Sequence, residues 1–201
     1  MKIIGITGNS GSGKSTICAK LNEYLHANIL DADKIAKKIC FKNSQYLREI
    51  VQEFGQVVLL ENGELNRKAL SDIIYNNFSA KKKLDKITFK HVCGKIVEEI
   101  KENSLKENIE YIIIDAPLLF EAELDKICNL VISVIAKKDQ KIARICKRDN
   151  ISKEIAEKRL EIQQEDSYYI SKSDFVIENN DENNIDEKIE EICNKITNIK
   201  N

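Results

Sequence analysis

The stretch GNSGSGKST, residues 8–16, constrains this chain more than any other, because it lies between a β-branched run, KIIGIT, and a helix-like one, ICAKLNEYL. Gly8, Gly13, Lys14 and Ser15 satisfy G-x-x-x-x-G-K-[ST] in that strand, loop and helix context. A loop of this kind curls closely enough around an anion for its backbone N–H groups to donate to the oxygens. Side chains at the glycine positions would obstruct that approach or the backbone angles it needs. The helix starting near Lys14 adds its positive dipole end. Lys14 then supplies a mobile point charge for β- and γ-phosphates, and the Ser15 hydroxyl a ligand for Mg²⁺. The stretch reads as a cradle for a nucleoside triphosphate.

Three further β-branched runs follow, YIIIDA (111–116), LVISVIA (130–136) and DFVIEN (174–179), with a weaker one, ANILDA, at 27–32. All are continuous rather than alternating, as expected of strands buried on both faces of a parallel sheet. Strands separated by helical patterns imply right-handed crossovers and an α/β fold. Between residues 33 and 108 no strong strand occurs; YLREIVQEF, RKALSDIIYNNF and KKKLDKITFKHVCGKIVEEI have helical spacing, which predicts a mostly helical lobe inserted after the second strand. The tail DENNIDEKIEEICNKITNIK places Ile185, Ile189, Ile192 and Ile196 on one face of a closing helix.

At 201 residues and 42% hydrophobic, the chain can bury a sizeable core. Its 32 basic residues nearly cancel 33 acidic ones, which argues against a coat for nucleic acid or for an anionic membrane. The six cysteines, Cys18, Cys40, Cys93, Cys128, Cys146 and Cys193, show no C-x-x-C pair and no metal-ligand spacing, so free, buried thiols are expected. With no run of 18 apolar residues and no signal-peptide pattern, a reducing, cytoplasmic setting is expected.

A GTPase would carry D-x-x-G and [NT]-K-x-D, but DAPL at Asp115 lacks the glycine and AKKD at 136–139 lacks the Asn. A small phosphotransferase fits better, and it needs an acceptor site, a base and a cationic lid. Asp31 and Asp33 follow a strand at the edge where acceptors sit in open α/β sheets, and two residues apart in an extended segment both can point to one side. One could take the acceptor's proton while the other orients metal-bound water; either alone could instead cap the helix beginning near Lys34. Arg144 and Arg148, one helical turn apart in QKIARICKRD, could clamp a transferring phosphoryl group or simply form a solvated face. Asp115, ending an apolar strand, suits a role at Mg²⁺. A kinase of another small acceptor, such as a nucleoside or nucleotide, and a nucleotide-dependent binding module or switch are the alternatives.

With these residues assembled, the chain resembles dephospho-coenzyme A kinases over nearly its whole length, through GITGNSGSGKST, ILDADKIAKKI, EFGQVVLLENGELNRKAL, IIIDAPLLFEAEL, QKIARICKRD, AEKRLEIQQ and SDFVIEN. The resemblance implies transfer of the ATP γ-phosphate to the ribose 3′-hydroxyl of dephospho-CoA, with Mg²⁺, by a cytoplasmic monomer or weak homo-oligomer without nucleic-acid or membrane partners. It implies a P-loop fold with a five-stranded parallel sheet: a core at about 1–32 and 109–201, a lid at about 138–166 and a helical acceptor-binding insertion at about 33–108. By the same resemblance Gly11, Ser12, Gly13, Lys14, Ser15 and Thr16 bind ATP. Asp33 is the base, acting with Lys14, Arg144 and Arg148. Asp31, Arg67, Leu118, Leu119 and Phe120 meet the acceptor, and Ser15 and Asp115 serve the metal.

Two departures stand out. The family's L-D-R segment reads with Asn66 before Arg67, and its I-x-H-P segment reads Ile87, Thr88, Phe89, Lys90. Without the proline the helix there is expected to run on. His91, one residue displaced, points about 100° away from the family's histidine and is expected to be a surface or helix-packing residue, as is His26.

Overall fold

The computed structural model describes residues 1–75 and 77–198; Asn76, within RKALSDIIYNNF, and the last residues of the tail pattern, from 199 on, lie outside it. Five strands, β1 (Lys2–Thr7), β2 (Asn28–Asp31), β3 (Tyr111–Asp115), β4 (Leu130–Ile135) and β5 (Phe175–Glu178), form one sheet in the order β2-β3-β1-β4-β5. All five coincide with the apolar runs read from the sequence. The central strand β1 pairs in parallel with β3, Ile4 opposite Ile113, and with β4, Ile4 opposite Leu130. Beyond it β4 pairs in parallel with β5. Every residue of β4 is buried, which is why its run is apolar without alternation.

The chain divides into two units, Met1–Leu30 with Lys106–Asn201, and Asp31–Leu105. In the first, Ile4, Ile6, Ile113, Ile132, Val134 and Ile177 meet α1 (Lys14–Leu25) and α9 (Ile185–Asn198) on one side of the sheet. Ile189, Ile192 and Ile196 are fully buried there with Ile185 partly so, as the tail spacing predicts. On the opposite side, Gly5 has no room for a side chain: a Cβ would lie 2.9 Å from Cys128 Sγ and 2.9 Å from Leu119 Cδ2. The rest of this unit is α6 (Lys138–Asp149), α7 (Lys153–Glu161) and α8 (Asp166–Ile170). Ile142 and Ile145 of α6 pack with Ala156 of α7.

The second unit holds α2 (Ala32–Ile39), α3 (Gln45–Phe54), α4 (Arg67–Tyr75) and α5 (Phe78–Ser104) around Tyr46, Ile50, Val58 and Leu70. Each helix starts at a short polar side chain that accepts from the first turn. Ser44 takes the Leu47 N–H at 3.1 Å, Asn66 the Ala69 N–H at 3.1 Å and Asn77 the Ala80 N–H at 3.0 Å. Asn66 thus performs the cap for which either Asn or Asp is suited. Its replacement of the family's aspartate leaves α4 properly started. With Phe89 and Lys90 in place of His-Pro, α5 continues for 27 residues. His91 packs on α3, its ring centroid 5.4 Å from that of Tyr46 and its Nε2 3.1 Å from Glu49 Oε2. His26 is the exposed, left-handed residue that ends α1.

All six cysteines are free, but only Cys18 and Cys193 are fully buried, and the other four are half-buried. Cys128 lies against β1 and donates to the Leu124 carbonyl at 3.2 Å. Burial, reinforced by the Asp125 and Asp174 carboxylates, pushes its thiol from 9.0 up to about 12. The folded state therefore holds the neutral thiol, whereas the unfolded chain ionises it above pH 9 and is favoured as pH rises. The stability advantage of the native chain over Cys128→Ala should accordingly be constant below pH 9 and shrink between pH 9 and 12. Paired denaturant titrations across that range check it; a constant difference would refute the assignment.

Candidate active site

The phosphate loop leaves β1 at the C-terminal edge of the sheet and enters α1 at Lys14. Its turn is built by three glycines with positive φ, Gly8 at 138°, Gly11 at 77° and Gly13 at 93°. Added Cβ atoms would lie 2.1 Å from the Val134 carbonyl oxygen at Gly8, 2.5 Å from that of Lys141 at Gly11, and 1.9 Å from Asn179 Nδ2 at Gly13. Both the conformation and the lack of space require glycine. Lys14 folds back over the turn, donating to Gly8 O at 2.7 Å and Asn9 O at 3.3 Å. Ser15 and Thr16 are exposed at the mouth of the helix, while the Ser12 hydroxyl is buried without a protein partner.

Behind the loop, α6 and the segment after β5 supply its supports. Arg144 donates through Nη1 toward Gly11 O (3.4 Å) and Ser12 O (3.5 Å), and through Nη2 to Asn179 O (2.9 Å) and Asp181 Oδ1 (2.6 Å). Asn179 Nδ2 donates to Ser12 O at 2.8 Å. Arg148 donates through Nη2 to Ser10 Oγ at 3.2 Å, with Nε 2.7 Å from Asp149 Oδ1. Asp149 also accepts from Arg159 at 2.7 Å; Arg148 foremost, then Arg159, hold its carboxyl below the ordinary range. Both sequence-selected arginines therefore stand at the loop, Arg144 as a brace on its carbonyls and Arg148 beside Ser10.

Asp115 ends β3 opposite Ile6 and is buried. Following it, the residues read as an acceptor wall divide. Leu118 is 38% exposed, whereas Leu119 is completely buried against Gly5. Phe120 stacks edge-to-face with Tyr168, ring centroids 5.8 Å apart, and the Lys172 ammonium lies over both rings.

In the helical unit, Asp31 caps α2: its Oδ1 accepts the Lys34 N–H at 2.9 Å and its Oδ2 pairs with Lys34 Nζ at 3.1 Å. Asp33, in the first turn, is exposed. Arg67 is exposed at the start of α4, close enough to the Cys40 thiol and the Tyr46 hydroxyl to oppose the upward push that burial gives both.

Among the described residues no cluster of three His, Cys, Asp or Glu side chains could hold a metal alone. Mg²⁺ delivered with phosphates takes most of its oxygen ligands from the nucleotide. The exposed Ser15 hydroxyl and the glycine-lined cradle fit such a complex. Asn179 and the Lys141–Asp166 pair beneath the loop went unread in the sequence. Asn179 directly follows an apolar strand at the binding edge of the sheet, a signal that could have singled it out. Gly13→Ala should weaken ATP binding by about tenfold or more while leaving far-ultraviolet circular dichroism unchanged, because it strains the turn and displaces Asn179. Calorimetric titration would check this, and unaltered affinity would exclude the loop as the nucleotide cradle.

Residues 2–186 match the dephospho-CoA kinase (CoaE) family model. A dephospho-CoA kinase of Fusobacterium nucleatum subsp. nucleatum is 40% identical over 195 residues, covering 96% of this chain and 98% of its own. The solved dephospho-CoA kinase from Campylobacter jejuni superposes with a TM-score of 0.65 at 31% identity, over 98% of this chain and 96% of its own. A Thermus thermophilus structure shares the fold with a TM-score of 0.79 at 24% identity, over 100% of this chain and 98% of its own. Since the family match extends from β1 into α9 and takes in both units, the chain belongs to the dephospho-CoA kinase family.

Proposed function

We propose that this chain transfers the γ-phosphoryl group of ATP to the ribose 3′-hydroxyl of dephospho-CoA, yielding coenzyme A and ADP in the final step of CoA synthesis. The observation that carries this reading is the family membership, which spans the helical unit as well as the phosphate loop. The loop supports it independently, since its three glycines adopt a turn closed to any side chain.

In this reading Gly11 to Thr16 hold the ATP phosphates and Lys14 leaves its loop carbonyls for the β- and γ-phosphates. Arg148, and Arg144 through its hold on the loop, offset charge as the β,γ-bridging oxygen leaves with ADP. Asp33 accepts the proton of the attacking hydroxyl. Its exposure supports that choice over Asp31, whose two oxygens are engaged by Lys34. Ser15 and Asp115 would hold Mg²⁺, which when bound would supply positive charge to offset that of the phosphates. Asp31, Arg67, Leu118 and Phe120 serve the acceptor. The enzyme works in the cytoplasm on a small-molecule substrate; no helix among the described residues is long and apolar enough to cross a membrane.

The purified chain should convert dephospho-CoA to CoA with ATP and Mg²⁺ and leave adenosine and AMP unphosphorylated. Asp33→Asn should lower turnover about 10²-fold or more, typical of a lost general base. Phosphorylation of adenosine or AMP in preference would contradict the substrate, and near-native turnover in the variant would contradict the base.

A further inference from the structure

Lys141 is a charged residue where the apolar face of α6 is buried: its side chain is only 7% exposed, and Ile142 and Ile145 beside it are core residues. Its ammonium bonds both oxygens of Asp166, at 2.9 Å and 3.1 Å. Asp166 keeps 34% of its side chain exposed, so the buried charge is the lysine's; burying an ammonium is costly even when it is paired, so its presence calls for a use other than stability. The surroundings supply one. Asn9, itself 5% exposed, donates through Nδ2 to the Gln164 carbonyl at 3.0 Å and to Asp166 Oδ1 at 3.3 Å. Both partners are acceptors, so they orient the Asn9 amide with its nitrogen toward α8 and leave Oδ1 buried without a protein partner. Ser10 N–H donates to Gln163 Oε1 at 2.9 Å, and the Gly11 backbone lies so close to Lys141 that a Cβ would meet its carbonyl oxygen at 2.5 Å. Three successive residues of the phosphate loop thus rest on Lys141 and on the segment from Gln163 to Asp166.

We infer that Asp166, its charge compensated by Lys141, is a positioning residue for the phosphate loop, its acceptor oxygen fixing the orientation at which Asn9 to Gly11 receive the nucleotide phosphates. Asp166 compensates the buried Lys141 charge and, with the lysine in place, holds the Asn9 amide. Neither residue touches substrate. The inference rests on the proposed kinase reaction only for its turnover assays; nucleotide binding tests it separately.

Two double variants separate positioning from fold maintenance. Lys141→Met with Asp166→Leu replaces the pair by apolar side chains, removing the side-chain acceptor of Asn9 and leaving it only the Gln164 carbonyl. Lys141→Met with Asp166→Asn also removes both charges but leaves an amide oxygen for Asn9. Both should melt cooperatively near the native temperature. The Leu variant should bind a non-hydrolysable ATP analogue about tenfold more weakly than the native chain and the Asn variant within about threefold of it, a lost charged hydrogen bond being of that size. In turnover assays the KM for ATP should rise in the Leu variant while the KM for dephospho-CoA stays unchanged. Equal nucleotide affinity in both variants, or a KM change shared by both substrates, would overturn the inference. Loss of cooperative melting in both would overturn it too, by assigning the pair to the fold. Native protein that binds the analogue but does not turn over dephospho-CoA would defeat the proposed reaction and leave the binding comparison intact.

Discussion

The close approach of the Gly8, Gly11 and Gly13 backbone to the ends of β4, α6 and β5 is the constraint on which the rest of the structure depends. Val134, Lys141 and Asn179 leave no volume for a Cβ at these three positions, so the turn is moulded by three separate elements. None of those elements could be placed without the sheet order β2-β3-β1-β4-β5, which puts β1 between β3 and the fully buried β4 and brings β4 and β5 to its loop side. The apolar strands, the packing of α1 and α9 and the glycine pattern are therefore parts of one requirement, a turn preorganised before phosphate arrives.

Electrostatics complete what sterics begin. The carbonyls of Gly8 and Asn9 accept from Lys14, and those of Gly11 and Ser12 from Arg144 and Asn179. The negative ends of the loop peptides are thereby engaged by cations and an amide, which favours polyanion binding at the same turn. Lys14 is a long side chain with many rotamers, so a nucleotide can recruit it without dismantling the turn that the glycines hold.

Much of this was legible in the sequence, for reasons that differ by element. The strands were readable because burial on both faces demands continuous β-branched runs, as in YIIID of β3. The closing helix was readable because Ile185, Ile189, Ile192 and Ile196 keep helical spacing. What could not be read was pairing across long separations. The charge of Lys141 reads as solvated although Ile145 shares its helix face, since the partner that compensates it, Asp166, lies 25 positions on. Leu119 likewise reads as a wall residue beside Leu118, but it packs on Gly5 of β1 and is core. For the aspartates the spacing left cap and base open. The Lys34 contacts give the cap to Asp31. They leave Asp33 as the exposed carboxylate of the pair.

The most direct test is a ¹⁵N-glycine-labelled amide spectrum recorded through an ATP titration, since the chain has only seven glycines and three of them form the turn. Saturable shifts of Gly11 and Gly13, with Gly55, Gly63 and Gly94 of the helical unit at rest, are the predicted result. ATP binding that leaves the Gly11 and Gly13 amides unmoved would contradict the claim that this turn holds the nucleotide.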